Sequence, residues 1–355
     1  MNEPAARRPR PTLAQIADEL GVSVMSVSNA YNRPDQLSTA LRERILAKAQ
    51  ELGYPGPDPF GRGLRRRRAR ALGVLYDTWP SYVFTNAAAV GVLQGLTEAT
   101  GRAFMGVLLV PSPLPGDAQA PPLDTALVDG FVVYSVADTD RQVPIARSRG
   151  PVVIVDQPRI EGVPSVGVDD EAAAAGAAQH LLDLGHRRIG VLAFGLARDG
   201  VEGFAGLERQ QQAVFAVTRA RLAGYRTALT HAGIEWADVP VYECHMARDA
   251  AAAAAALLAL RPRPTAILAT SDGLALGAVR AARELGLTVP GDLSVVGFDD
   301  SPAAQRMDLT TVRQPHLAKG RRAGELMLAL LAGETGAGCE LLPTELIVRG
   351  STGPR

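Results

Sequence analysis

Residues 12–32 read T-L-A-Q-I-A-D-E-L-G-V-S-V-M-S-V-S-N-A-Y-N, a pattern typical of two short helices joined by a tight turn. Thr12 can cap the first helix, and Gln15 three residues later completes a capping box. Gly21 ends this helix, because glycine enters the left-handed region at little cost, and Ser23 then caps the second helix. The first helix has a buried stripe at helical spacing, formed by Leu13, Ile16, Ala17 and Leu20.

The second helix, Val24–Tyr31, is predicted to bury one face and expose the other. The buried face carries Val27, Ala30 and Tyr31, and the exposed face carries Val24, Met25, Ser28, Asn29 and Asn32. A third helix is predicted at about Ser38–Leu52, with one apolar side formed by Leu41, Ile45, Ala49 and Leu52. Three helices with a glycine-centred turn form a helix-turn-helix unit, whose second helix enters the major groove of DNA. An ordinary three-helix bundle is the alternative that this stretch alone leaves open.

A short basic segment follows the three helices. The run G-Y-P-G-P-D-P at residues 53–59 cannot continue a helix, since its prolines remove donors and clash with the preceding turn. Asp58 and Pro59 form a helix start signal for the segment Phe60–Arg66, which contains Leu64 and runs into an arginine cluster. This segment is too short to be a stable helix alone, and an apolar wedge beside arginines suits the DNA minor groove. A solvated basic linker is the alternative interpretation.

Residues 12–70 resemble the DNA-binding head and hinge of the lactose-repressor (LacI/GalR) family of bacterial transcription regulators. The matching motifs are T-L-x-x-I-A, L-G-V-S, S-V-S-N-A-Y-N, R-E-R-I-L-x-x-A-x-E-L-G-Y and L-R-R. Three later segments match the family as well, namely Leu184–Leu192, Ser271–Arg280 and Leu293–Asp300. The resemblance implies a multi-domain fold, with an all-α helix-turn-helix head and an α/β periplasmic-binding-protein-like body of two doubly wound parallel-sheet subdomains.

Charge is distributed unevenly along a chain whose net charge is +0. Residues 1–70 hold 13 Lys and Arg against 7 Asp and Glu, whereas the rest of the chain holds 24 against 30. A basic head on an acidic body is the distribution expected when one end of a protein contacts DNA.

Composition places the chain among ordinary globular proteins, with 47% hydrophobic and 21% charged residues. Cys244 and Cys339 lie far apart, fit no metal spacing and are expected to be free thiols in a reducing cytoplasm. The N-terminus lacks the apolar core of a signal peptide, and no apolar run is long enough to span a membrane. We therefore expect a cytoplasmic protein with no membrane partner, no cofactor and no metal.

The body alternates strand-like apolar runs with helical stretches, which indicates parallel sheets covered by helices on both faces. The first set comprises strand Ala71–Tyr76, helix Ala87–Thr100, strand Phe104–Val110, strand Gly130–Val133, the separating segment Asp138–Arg149 and strand Pro151–Val155. The second comprises helix Asp169–Leu184, strand Arg188–Phe194, a helix through Arg221–His231, strand Val239–Glu243, helix Ala247–Leu260, strand Thr265–Ala269, helix Asp272–Leu285 and strand Ser294–Phe298. Thr311–Gln314 and helix Leu317–Leu331 are expected to return to the first subdomain, and Leu341–Val348 to cross again.

These elements predict four parts of the chain: a helix-turn-helix head at 10–58, a hinge helix and basic linker at 59–70, an N-terminal subdomain at 71–168 with 300–332, and a C-terminal subdomain at 169–299 with 333–350. Ligands of such folds bind outside the carboxyl ends of the strands, here in the cleft between the halves. The region 195–219 is long and irregular, and its sequence suggests no function.

By resemblance to the family's recognition helix, Val24, Met25 and Asn29 are expected to reach base edges. Asn29 has the chemistry to bind adenine through N7 and N6, whereas Val24 and Met25 would contact thymine methyls or exclude water. Positions that match phosphate contacts are Thr12, Ser23, Ser26, Asn32 and Tyr54, with capping or packing as the alternative for each. Leu64, beside Arg65, matches the family's minor-groove wedge.

The positions that match the family's effector contacts are Asp156, Arg221, Ser271, Asp299 and Gln314. An arginine fork with carboxylates suits the vicinal hydroxyls of a sugar, and an Asp–Arg ion pair across the cleft is the alternative. Ser271 stands where the family often has asparagine, so we expect a ligand with a polar pattern unlike that of lactose-type sensors. Asp272 is predicted to cap a helix. Trp79 and Phe84 follow the first strand, where an aromatic ring could stack on a sugar; core packing is the alternative.

No catalytic constellation is evident in the sequence. The histidines show no metal spacing, and the chain has neither a Gly-rich phosphate loop after its first strand nor a nucleophile elbow. The resemblance therefore implies a sequence-specific DNA-binding transcription regulator, a repressor rather than an enzyme, that binds a palindromic operator as a homodimer. A small-molecule effector, a sugar or sugar derivative, would control it from the cleft. The alternatives are a cytoplasmic small-molecule binding module without specific DNA binding, and a sugar-processing enzyme.

Overall fold

The computed structural model describes residues 11–54, 69–77, 80–112, 123–245, 247, 249–336 and 338–355. The chain divides into two compact units, a head at residues 1–69 and a body at residues 70–355. Among the described residues, no helix is both long enough and apolar enough to cross a membrane.

The head contains three helices, α1 (Leu13–Leu20), α2 (Val24–Asn32) and α3 (Thr39–Glu51), with a 3-10 turn at Pro34–Gln36. The predicted caps are confirmed, because the hydroxyl of Thr12 accepts the N–H of Gln15 and the hydroxyl of Ser23 accepts that of Ser26. Gly21 adopts a left-handed conformation with φ of 64°, as the turn requires.

The predicted apolar stripes meet in the core of the head. Its fully buried members are Ile16, Ala17, Val27, Ala30, Ile45 and Ala49. Leu13, Leu20, Tyr31, Leu41 and Leu52 pack against them as partly buried residues. The helical spacing seen in the sequence therefore predicts both the helices and the sides on which they pack.

The body alternates strands and helices along the chain. In order they are β1 (Ala71–Tyr76), α4 (Pro80–Thr85), α5 (Ala87–Gly101), β2 (Gly106–Pro111), β3 (Gly130–Tyr134), α6 (Gln142–Arg149), β4 (Val152–Val155), β5 (Ser165–Val168), α7 (Asp170–Asp183), β6 (Ile189–Phe194), β7 (Gly203–Phe204), α8 (Leu207–Gln211), α9 (Ala216–His231), β8 (Val241–Cys244), α10 (Ala250–Leu258), β9 (Ala266–Ala269), α11 (Asp272–Glu284), β10 (Ser294–Asp299), α12 (Pro302–Arg306), β11 (Thr310–Arg313), α13 (His316–Leu331), β12 (Cys339–Leu342) and β13 (Glu345–Ile347).

These strands form two sheets. The first has the order β12-β5-β4-β3-β1-β2, and all of its neighbouring strands are parallel. The second has the order β13-β11-β10-β9-β6-β8-β7, with antiparallel pairing only at its two edges. The inner strands are buried on both faces, as expected for parallel sheets with helices on either side. The predicted fold class is confirmed.

The crossings between the sheets differ from the expected ones. Strand β11 was expected in the first subdomain with the range 300–332, but it pairs with β10 in the second sheet. The short helix α12 leads directly from β10 to β11, so the two strands become parallel neighbours. Within the range 333–350, β12 joins the first sheet and only β13 joins the second.

Candidate ligand cleft and nucleic-acid interface

Two of the predicted base-contacting side chains project from the head. Val24 is 48% exposed and Met25 is 68% exposed, although both are large apolar residues. Asn29 is only partly exposed, and its Nδ2 donates a hydrogen bond to Oε1 of Gln36 at 3.3 Å. Asn29 therefore has a partner inside the head that the sequence did not reveal. The exposed apolar pair at the start of α2 has no packing role within the described head.

The residues at predicted phosphate-contacting positions have structural roles in the head. Thr12 and Ser23 cap helices, and the hydroxyl of Ser26 lies 2.9 Å from that of Ser23. Tyr54 packs edge-on against Tyr31, with 6.1 Å between the ring centroids. Capping and packing do not exclude phosphate contacts, since the outer parts of these side chains remain accessible. The side chain of Asn32, and the hinge residues Leu64 and Arg65, lie outside the described residues.

A cavity of about 260 Å³ lies between the two sheets of the body. Tyr76, Tyr134 and Asp156 enter it from the ends of β1, β3 and β4 in the first sheet. Phe194, Thr270 and Asp299 enter it from the ends of β6, β9 and β10 in the second sheet. All of these are carboxyl ends of parallel strands, where ligands of doubly wound folds bind.

The cavity brings most of the predicted effector-contacting residues together. Its lining includes Asp156, Arg221, Ser271, Asp299 and Gln314. Phe84 does not line the cavity and is 66% exposed, so neither sugar stacking nor core packing describes it. Trp79 lies outside the described residues.

Arg221 is held on its own side of the cleft. It is buried, and its Nε donates to Oδ1 of Asp170 at 2.8 Å while another guanidinium nitrogen donates to the carbonyl of Thr270. Its guanidinium carbon also lies 3.8 Å from the ring centroid of Phe298. Burial raises the pKa of Asp170, and the positive charge of Arg221 opposes that rise. The Asp–Arg ion pair exists, but it does not span the cleft.

Lys319 is a cleft residue that the sequence analysis missed. It is fully buried, and its Nζ donates to Oδ1 of Asp156 at 2.5 Å and to Oε1 of Gln314 at 2.6 Å. The amide nitrogen of Gln314 in turn donates to Oδ1 of Asp299 at 2.7 Å. This chain of hydrogen bonds joins the first sheet to the second. Nothing in the sequence marks this lysine as a cleft residue, because its burial is visible only in the structure.

Ser271, and not the predicted Asp272, caps α11. Ser271 caps α11 by accepting the N–H of Leu274 at 3.3 Å, although it also lines the cavity. Asp272 does not cap the helix; it is buried and accepts from the N–H of Ser301 at 2.6 Å and the hydroxyl of Thr311 at 2.5 Å. Burial, assisted by the charge of Asp299, raises the pKa of Asp272 to about 6.

The irregular region 195–219, here termed the clasp segment, bridges the cleft. Arg198 lies 2.7 Å from Oδ1 of Asp77 and 3.1 Å from Oδ2 of Asp140, two carboxylates that follow strands of the first sheet. Arg219 pairs with Asp138 at 2.6 Å. The backbone adds two bonds, from the N–H of residue 138 to the carbonyl of residue 214 and from that of residue 217 to the side chain of residue 157.

Asp77 is the most perturbed carboxyl of these bridges. Burial, together with the charge of Asp140, raises its pKa to about 7, even though Arg198 lowers it. Two carboxylates thus share one guanidinium on the first-sheet side of the cleft. The clasp is consequently sensitive to the protonation of Asp77 near neutral pH.

Asp199, Glu243 and His245 form a cluster with the spacing of metal ligands. Arg209 already occupies it, donating to both carboxylates at distances of 2.5 to 2.9 Å. Because a guanidinium neutralises these oxygens, the cluster is an ion-pair network at the edge of the clasp rather than a free set of ligands.

Comparisons with known proteins agree with this architecture. The family model for "Bacterial regulatory proteins, lacI family" matches residues 12–56, and that for a "Periplasmic binding protein-like domain" matches residues 178–352. The chain is 43% identical over 358 residues to the HTH-type transcriptional regulator Rv3575c of Mycobacterium tuberculosis, covering 99% of each protein.

Two solved structures resemble the whole chain. The transcriptional regulator CelR in complex with cellobiose is 29% identical with a TM-score of 0.68, covering 96% of this chain and 100% of that one. The Lac repressor dimer bound to operator and the anti-inducer ONPF is 26% identical with a TM-score of 0.76, covering 97% and 100%. The chain therefore belongs to the LacI family and is a DNA-binding, helix-turn-helix transcriptional regulator with a periplasmic-binding-protein-like body.

Proposed function

We propose that this regulator is a repressor whose affinity for its operator is set by a small-molecule effector, a sugar or sugar derivative, bound in the cleft. The observation that carries the proposal is the convergence of Asp156, Arg221, Ser271, Asp299 and Gln314 on one cavity. They come from both sheets, so a ligand there contacts both halves of the body. The cellobiose complex of a similar regulator supports a carbohydrate class of ligand.

The form that binds DNA is proposed to be a homodimer on a palindromic operator. A dimer with two-fold symmetry binds a DNA site with two-fold symmetry. The operator complex of the similar Lac repressor contains a dimer. Val24, Met25 and Asn29 would contact bases, while Thr12, Ser23, Ser26, Asn32 and Tyr54 would contact phosphates. Leu64 and Arg65 remain the proposed minor-groove hinge.

Control would operate through the relative position of the two halves of the body. A ligand shifts a conformational equilibrium only if it binds one arrangement more tightly than another. A ligand between the sheets meets this condition, because its contacts to Asp156 on one side and Arg221 on the other exist together only when the cleft is closed. The clasp segment and the bonds of Lys319 would then stabilise that arrangement.

The rival function is a small-molecule binding module whose head lacks sequence specificity. The exposed Val24 and Met25 favour DNA contact, since large apolar side chains at the start of a recognition helix have no role in the packing of the described head. Catalysis is not part of the proposal, because the cleft carboxylates are held by cations and amides in structural bonds. Binding to the chromosome would place the protein in the cytoplasm.

Capture and sequencing of fragmented genomic DNA by the purified full chain tests the proposal. We expect enrichment of one or a few short palindromes, and loss of that enrichment for a variant carrying Met25→Ala and Asn29→Ala. A matched control, Ser148→Ala in the body, should retain it. The bidentate contact proposed for Asn29 with adenine is worth roughly 1–3 kcal/mol of discrimination. Uniform, salt-sensitive binding to all DNA fragments, with no enriched sequence motif, would favour the rival function.

A further inference from the structure

We infer that the cleft selects an uncharged, hydroxyl-bearing ligand of single-ring size, and that Tyr76 and His316 are specificity-determining residues for its hydroxyl groups. This inference rests on the proposed function only in taking the cleft as the effector site. The charges around the cavity, its volume and its unpaired polar atoms support this assignment.

Every cation at or behind the described cavity wall already has a carboxylate partner. Arg221 is paired with Asp170, and Lys319 with Asp156. Arg198 is shared by Asp77 and by a second aspartate at position 140. A phosphate or carboxylate ligand would therefore have to displace an existing ion pair in order to gain a cationic partner.

The remaining charge in the cavity disfavours anions further. Asp299 lines the cavity and accepts a hydrogen bond from the amide of Gln314, whereas Nε2 of His316 lies 3.6 Å from the same Oδ1, too far for a hydrogen bond. An anion placed beside Asp299 would meet a like charge in a partly desolvated site, where electrostatic interactions are stronger than in water. A neutral ligand avoids this repulsion and can donate hydroxyl protons to the carboxylate oxygens.

The volume of the cavity limits the size of the ligand. At about 260 Å³ the cavity lies just below the range of ~300–1,000 Å³ that is usual for small-molecule sites. Phe194 and Phe215 form part of its wall, so apolar ring faces are available to cover a compact ligand. A single hydroxylated ring fits this space, whereas a disaccharide requires the halves of the body to move apart.

Two residues of the cavity wall carry buried polar atoms that have no hydrogen-bond partner among the described residues. The hydroxyl of Tyr76 is buried and unpaired, and so are both ring nitrogens of His316. Both residues line the cavity, and they approach it from β1 and from the start of α13. A tyrosine hydroxyl can donate and accept, and a neutral imidazole offers one donor and one acceptor. Adjacent ligand hydroxyls, which also donate and accept, complement this set.

Tyr76→Phe is a suitable probe because it removes only the hydroxyl and leaves the ring in the core of the first sheet. Tyr242→Phe is the matched control, since Tyr242 packs against Phe204 and does not line the cavity. The loss of one neutral hydrogen bond should weaken ligand binding by about 3- to 10-fold. The control variant should bind as the parent chain does. His316→Ala should weaken binding at least as much as Tyr76→Phe.

The test is a calorimetric titration of the full chain, without DNA, with free monosaccharides, other neutral single-ring polyols, nucleosides, their phosphate esters, and disaccharides. We expect a neutral single-ring compound to bind, its phosphate ester to bind at least 100-fold more weakly, and Tyr76→Phe to reduce the affinity. A nucleoside carries a base ring besides its ribose ring, so it should bind more weakly than the neutral single-ring compound.

Three results would overturn the inference: tighter binding of a phosphate ester or a disaccharide, binding indifferent to both Tyr76→Phe and His316→Ala, or no binding by any neutral single-ring compound. Because the titration contains no DNA, failure of this inference is distinct from failure of the proposed control of DNA binding. That control would fail only if a ligand that binds the cleft left operator affinity unchanged.

Discussion

A single carboxyl, that of Asp77, links the clasp to pH. Its folded pKa of about 7 lies well above the ordinary value near 3.8, chiefly because the group is buried and secondly because the negative charge of Asp140 lies nearby, although Arg198 opposes the rise. A carboxyl with a raised pKa holds its proton in the folded state after the unfolded chain has released it. Its contribution to stability is therefore complete below pH 4 and is lost as the pH rises through 7.

We predict that Asp77→Asn flattens the pH dependence of stability between pH 4 and 8. The wild-type body should lose up to about 4 kcal/mol across this range relative to the variant, from a pKa difference of roughly three units. Thermal unfolding of both chains at several pH values measures the difference, with the exposed Glu161→Gln as the control substitution. Parallel stability curves for wild type and Asp77→Asn would contradict the burial argument.

The role of a single residue could be predicted from the sequence where its partner is a near neighbour in the chain. The caps of Thr12 and Ser23 and the turn at Gly21 involve neighbours within four positions, so composition and spacing are sufficient to predict them. Asp156 and Asp170, the carboxylate partners of Lys319 and Arg221, lie 163 and 51 positions away, so no local pattern identifies them. The same limit explains the wrong prediction for Asp272, because its partners Ser301 and Thr311 lie 29 and 39 positions later in the chain.

At the scale of elements, helices α5 and α13 pack closely through glycines. A Cβ at Gly95 would collide with the backbone of Leu317 and Arg321, and one at Gly320 would collide with the backbone of Val92. These contacts fix α13 against the first sheet at the point where the chain has just crossed from the second. The crossing, and with it the position of Lys319, depends on this packing.

Gly95→Ala should destabilise the body, because the new methyl group meets backbone that cannot move aside. We expect a loss of about 1–3 kcal/mol, the usual cost of overpacking. Gly101→Ala, in the same helix, is the matched control: a Cβ there meets nothing within 4 Å, so this change should be neutral or slightly stabilising. Urea unfolding gives both values, and equal midpoints for the two variants would refute the close-packing account.

Long apolar runs allowed most strands and helices of the body to be predicted to within a few residues. Strands β5 and β7 escaped prediction because the first is a four-residue S-V-G-V segment and the second has only two residues. Strand β11 was predicted as an element but expected in the other sheet. Pairing with β10 places β11 in the second sheet. The hydrophobic pattern along a single strand does not encode which strand becomes its neighbour.

On the scale of the whole molecule, the clasp segment holds the two halves of the body together across the cleft. Arg198 and Arg219 both cross, but the side chain of Arg198 is 14% exposed and that of Arg219 is 40% exposed. Ion pairs weaken with exposure, since water and salt screen them. Substitutions of the two arginines should therefore differ in their effect on cleft closure. The sequence of the irregular region 195–219 could not reveal these ion pairs.

Arg198→Met should weaken effector binding by about 10-fold or more, because it leaves two carboxylates without their shared cation and favours separation of the halves. Arg219→Met should have a much smaller effect. Calorimetry measures effector affinity, and small-angle scattering of the ligand-free proteins reports whether the body expands. If the two variants behave alike, or if Arg198→Met binds the effector as tightly as wild type, the clasp does not stabilise the closed cleft.

The most direct test of the central claim is the operator affinity of the full chain as a function of effector concentration, measured by fluorescence anisotropy for wild type and Tyr76→Phe. If a cleft ligand changes operator affinity, thermodynamic linkage requires this change to occur over a concentration range set by the binding constant of that ligand. We predict that the midpoint for Tyr76→Phe moves to higher effector concentration by the same 3- to 10-fold factor as the calorimetric affinity. Operator affinity that stays constant at saturating effector, or an identical midpoint in both proteins, would contradict control from the cleft.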